Sequence, residues 1–143
     1  MGTLYDTDIV AWASEQAELI RARKWDALDL EHIAEEIEDV GKSEKREFAS
    51  RMAVLIAHLL KWKYQPGKRG RSWLKTVALQ RARVLRKLKQ TPSLKHDMAD
   101  PDWLEEVWED GLSLALAETG IDELPEQQEW PVSRMLSPDF LPD

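Results

Sequence analysis

The chain has no cysteine among its 143 residues. That single absence removes disulfides, zinc thiolates, iron–sulfur clusters and thiol nucleophiles together, so folding must rest on packing. No stretch approaches 18 uncharged apolar residues, and the opening "MGTLYDTDIVAW" lacks a basic region followed by an apolar run. A cytoplasmic location with no membrane partner is therefore expected. Nucleophile motifs, glycine-rich phosphate loops and lipidation signals are missing too; "PGKRG" has neither the spacing nor the preceding strand of a phosphate loop. There is no alternating β pattern of useful length and no internal repeat. The last shortage is local: from Lys61 to Lys95 there is no Asp or Glu.

What is present favours an ordered helical chain. Hydrophobic residues make up 43% of the sequence and seven are Trp, enough apolar surface for one core in a single helical domain over residues 1–143. Ile9, Trp12, Ala13, Ala17 and Ile20 follow the spacing of one helix face, which predicts a helix over about 8–24 with Thr7 or Asp8 as cap. Leu30, Ile33, Ile37, Val40, Phe48, Met52, Leu55, Leu59 and Trp62 stay in phase, which predicts one long helix over about 30–64 with a common inward side. A break at Gly41 is the competing reading. "QPGKRG" predicts a loop, Ser72 a cap for a helix over about 72–89, and Asp100–Pro101 the start of a helix over about 101–118 closed by Gly120. The Pro-rich tail is expected to be irregular, with a short helix over about 131–136 and with Trp130, Leu136 and Phe140 as anchors. Trp103 and Trp108, five apart, cannot face the same way; one of them is expected to meet the tail or a second subunit. The fold class is all-α, a helical bundle of about four main helices.

The strings "YDTDIVAWASEQAELIR", "LDLEHIAEEIEDVGKSEKRE", "LIAHLLKWKYQP" and "RSWLKT", with a closing "LSPDFLPD", carry a resemblance. Together they resemble the bacterial domain-of-unknown-function family numbered 29, abundant in cyanobacteria, in order over nearly the whole chain. The resemblance implies an all-helical fold and a bacterial cytosolic setting, and brings no activity, cofactor or catalytic residue with it.

The sharpest feature is charge. Residues 61–95 hold twelve Lys or Arg and no carboxylate, whereas the remainder holds eight basic and twenty-seven acidic residues. Lys61, Lys63, Lys68, Arg69, Arg71 and Lys75, interleaved with Trp62, Tyr64 and Trp73, form a candidate anion or nucleic-acid surface, since phosphate backbones favour such strips. The plainer reading has the basic helix neutralised by acidic neighbours, as charged faces usually are. Asp29 and His32, three apart, raise a metal question, but no second Glu-x-x-His accompanies them and no metal or cofactor is expected. Ile37, Glu44, Arg51 and His58 fall seven apart on the apolar side of the long helix, and Arg81 lies on the apolar side of the next. Glu44, Arg51, His58 and Arg81 are thus a polar constellation, either an ion-paired set that fixes helix register or an acid–base or small-anion site. Arg81 opposite Glu44 or near His58 is the expected pairing. Three functions follow in order: a non-enzymatic module binding another protein or itself, a nucleic-acid binder using residues 61–89, and an enzyme at the polar constellation.

Overall fold

In the computed structural model, which describes residues 4–143, the chain is all-α, with no strand among the described residues. A short helix α1 (Leu4–Thr7) leads into α2 (Ile9–Arg21), whose start is capped by Asp8, its carboxylate accepting the Ala11 N–H at 3.1 Å. The α2 C-terminus closes as a Schellman motif: the Lys24 N–H reaches the Leu19 carbonyl and the Arg23 N–H the Ile20 carbonyl. The left-handed position that glycine usually occupies there is taken by Arg23, at φ +59°. Helix α3 (Leu30–Tyr64) runs 35 residues, about 52 Å at 1.5 Å per residue. It passes through Gly41 unbroken; a Cβ there would meet nothing within 4 Å. Glu31 in its first turn and Lys61 and Lys63 in its last both complement the helix dipole.

After the turn at residues 66–68 come α4 (Arg71–Gln90), the short α5 (Lys95–Met98) and α6 (Pro101–Thr119). Helix α4 starts on Gly70 with no side-chain cap, so Ser72 does not serve in that role. Asp100 caps α6 through the Asp102 N–H at 3.0 Å, Pro101 fills the first position, and Gly120 closes it in the left-handed conformation at φ +69°. The tail contains one further turn, α7 (Val132–Met135).

The chain divides into two compact units, with the division inside α3 between Glu44 and Lys45. The second unit holds the core. Phe48, Met52, Leu55, Ile56, Leu59 and Leu60 of α3 are buried together with Val77, Val84 and Leu88 of α4 and Val107, Trp108 and Ala115 of α6. Gly111 sets the α3–α6 approach: a Cβ on it would lie 2.6 Å from Ile56 Cγ2 and 2.9 Å from the Ala53 carbonyl oxygen. Trp108 meets the tail, donating from Nε1 to the Pro125 carbonyl at 2.9 Å and packing edge-on against Trp130, which in turn meets Phe140. Trp103 instead stacks on Phe48.

The first unit departs from the expectation of a common inward side along all of α3. Leu30, Ile37 and Val40 are 66%, 68% and 67% exposed. Only Trp12 and Gln16 are buried among its described residues. Helical phase identifies the apolar side of a helix, and here that side continues past the residues available to cover it.

Candidate functional site

The first unit is held by a polar and aromatic cluster rather than by a core. Asp29, just before α3, accepts at one carboxylate oxygen from Trp12 Nε1 at 3.0 Å and from His32 Nδ1 at 2.7 Å, while its own N–H donates to Gln16 Oε1 at 2.8 Å. Tyr5 stacks on the His32 ring at 3.9 Å and donates its hydroxyl to Glu36 at 2.6 Å. The hydrogen bond to Asp29 raises the His32 pKa above its ordinary value, and the same bond, with help from Trp12, lowers that of Asp29. The Tyr5 hydroxyl is driven upward by the bond to Glu36. Among the described residues no group of three or more His, Cys, Asp or Glu could hold a metal ion.

On α3 beside this cluster lies an open apolar strip. Counting 100° per residue, Leu30, Ala34, Ile37 and Gly41 share one side, with Val40 at its edge and Glu31 and Glu38 along its other border. All seven are exposed. Ile9, Val10 and Ile20 of α2 and Trp25 of the following turn are exposed large apolar residues as well. Residues 1–44 carry twelve acidic and four basic side chains, so the strip belongs to a unit of charge −8.

The basic segment is partly consumed within the second unit. Lys61 pairs with Glu118, and Lys63 donates to both oxygens of Glu129 at 3.0 and 2.9 Å, with the Tyr64 hydroxyl on the same carboxylate at 2.7 Å. These partners raise the Lys63 pKa and lower that of Glu118. Arg69 closes the end of α3, donating from Nε to the Trp62 carbonyl at 2.7 Å with its guanidinium 5.1 Å from the Trp62 ring. Of the six candidate phosphate-contacting residues, Lys61, Lys63 and Arg69 are therefore engaged internally. Lys68, Arg71 and Lys75 are exposed.

Two members of the polar constellation, Arg81 and Arg51, bond to separate partners. Arg81 is 4% exposed, and its guanidinium donates to three tail carbonyls: Met135 at 2.8 Å from Nε, Pro138 at 2.9 Å and Phe140 at 2.6 Å. Arg51 donates to Glu47, one turn earlier, at 3.0 and 3.2 Å. His58 is half-buried; burial first, then Lys61, pushes its pKa down against the opposing pull of Glu118. Glu44 is half-buried at the end of the first unit. The expected pairing of Arg81 with a carboxylate or imidazole is replaced by backbone capture of the tail, because the tail's carbonyls reach the guanidinium where no carboxylate is bonded to it. Sequence reasoning also passed over Glu47, which binds Arg51 and, through its other oxygen, Lys87 at 3.0 Å. Its four-residue spacing from Arg51 was the available signal.

No helix among the described residues is long and apolar enough to cross a membrane. A family model described as "Domain of unknown function DUF29" matches residues 4–141. No curated protein and no solved structure matches the chain.

Proposed function

We propose that this chain, which belongs to the DUF29 family, is a non-enzymatic interaction module whose first unit receives a basic amphipathic helix of another protein. The observation that carries this reading is the imbalance in that unit: two buried residues against a row of open apolar side chains that includes Leu30, Ile37 and Val40. A helical segment of that size gains little stability from its own packing. Covering each of those three side chains is favourable by roughly 1 to 2 kcal/mol, since about two thirds of each remains to be buried. The charge of −8 selects the partner, because a second copy would bring −8 against −8, whereas Lys and Arg flanking an apolar face would complement Glu31 and Glu38. A bacterial cytosolic setting, as implied by the resemblance the sequence carries, accompanies this reading.

A nucleic-acid reading draws on Lys68, Arg71 and Lys75 but loses Lys61, Lys63 and Arg69 to internal partners. An acid–base reading at Glu44 and His58 loses the support of Arg51 and Arg81, which are bonded to Glu47 and to the tail.

The test is a fluorescence anisotropy titration with a synthetic amphipathic peptide of leucine and lysine, beside a control of the same composition in scrambled order. The amphipathic peptide is expected to bind at least about tenfold more tightly than the control, and Leu30→Ser/Ile37→Ser/Val40→Ser to abolish the difference. Equal affinity for the two peptides, or a triple variant that binds like the parent, contradicts the proposal.

A further inference from the structure

Between α3 and α4, within the second unit, lies a cleft of about 430 Å³ lined by Glu47, Arg51, Arg83, Arg86, Lys87 and Gln90. Four cations thus surround one carboxylate. Glu47 occupies two of them, with Arg51 on one oxygen and Lys87 on the other. Those contacts hold Glu47 below the ordinary carboxylate range, Lys87 contributing most. Arg83 and Arg86 have no hydrogen bond or ion pair among the described residues, so two guanidinium groups face the cleft with their donors unused. The helix geometry makes this a wall rather than a scatter: Arg83, Arg86, Lys87 and Gln90 recur at the i, i+3, i+4, i+7 spacing of one α4 face. Lys87 lies deep, its side chain only 13% exposed, and is held in place by Glu47.

We propose that this cleft is a binding site for a compact anion bearing two or more phosphoryl groups. The lining itself, four cations and one carboxylate, carries a formal charge of +3, which a monoanion does not match. Guanidinium forks pair with phosphoryl oxygens in parallel hydrogen bonds, whereas Lys87 supplies a point charge and Gln90 a neutral amide. A half-open cleft of this size between two helices favours a compact ligand over a long polymer, whose phosphates would need an extended track. Glu47 is the built-in competitor: in the free protein it keeps Arg51 and Lys87 in position, and an entering phosphoryl group displaces it. This proposal does not depend on the partner assigned to the first unit.

Isothermal titration of the full chain with sodium tripolyphosphate at about 50 mM salt tests it. One equivalent is expected to bind, with inorganic phosphate weaker. Arg83→Ala/Arg86→Ala, both on an open face, is expected to keep the parent melting temperature and lose about tenfold or more in affinity. Glu47→Gln is expected to bind more tightly by about threefold or more, because the competing charge is gone. Lys75→Ala/Lys89→Ala, on the same helix but outside the cleft, is expected to leave affinity unchanged. No heat at millimolar tripolyphosphate overturns the proposal. So does an equal loss in the Lys75/Lys89 variant, which would mean diffuse attraction, or tighter binding of a single-stranded oligonucleotide that depends on Lys75 and Lys89.

Discussion

Arg81 ties the tail to α4, since one buried guanidinium answers three tail carbonyls. Hydrogen bonds from a charged donor are worth more than neutral ones, and removing this donor strands buried acceptors. Arg81→Ala is expected to cost about 3 kcal/mol in a urea or thermal unfolding measurement, with the tail from Pro131 onward becoming open to proteolysis. Arg83→Ala, at an exposed site on the same helix, is expected to change stability by less than about 0.5 kcal/mol. Equal losses would contradict this account of the tail. Arg23 makes the opposite case, because its positive φ is strained for a side chain bearing a Cβ. Arg23→Gly is expected to be neutral or stabilising by up to about 1 kcal/mol, and a clear destabilisation would contradict it. Helical phase was enough to put Arg81 on the apolar side of α4. The identity of its acceptors was not legible, because backbone carbonyls more than fifty residues away leave no mark in composition or spacing.

Helix packing and helix pairing carry two further predictions. Gly111→Ala would push a methyl group into Ile56 and the Ala53 carbonyl on α3, and overpacking of this kind costs about 1 to 3 kcal/mol. A variant at parent stability would mean that α3 and α6 part easily. His32 and His58, two of the three histidines, give the two units opposite responses to acid. His32 binds its proton more tightly when folded, so its contribution is fully present below the unfolded value of 6.5 and is lost as pH rises through the higher folded value. His58 binds its proton less tightly when folded, so its contribution is present above 6.5 and is lost as pH falls below it. From about pH 8 to about pH 5.5, protection factors, taken against the intrinsic exchange rate at each pH, are expected to rise around α2 and the start of α3 and to fall around His58. His32→Asn and His58→Asn should each remove their own response, and the same sign in both units would contradict the assignment. Capping and phase made the helices themselves readable: Asp8, Asp100–Pro101 and Gly120 mark ends that the structure keeps. The reach of the core was not readable, because Leu30, Ile37 and Val40 satisfy the same periodicity as Phe48, Met52 and Leu55, and periodicity does not state what lies opposite.

At the scale of the molecule, the net charge of −7 conceals a division. Residues 1–44 carry −8 and residues 45–143 carry +1, the basic segment being offset by acidic residues of α6 and the tail such as Glu118 and Glu129. The contrast visible in the sequence, a basic stretch in an acidic chain, suggested that the basic stretch was the unusual part. The structure shifts attention to the acidic unit, which leaves its apolar side chains open. In the proposed function this strip, bordered on one side by Glu31 and Glu38, is the receiving surface for a partner whose face is apolar and whose margins are basic. The most direct measurement is hydrogen exchange read along α3 alone, before and after addition of the basic amphipathic peptide. The account predicts that amides of residues 34–43 exchange far faster than those of residues 52–62 in the free chain, and that the peptide slows the first set without altering the second. Uniform protection along the whole of α3, unchanged by the peptide, would contradict it.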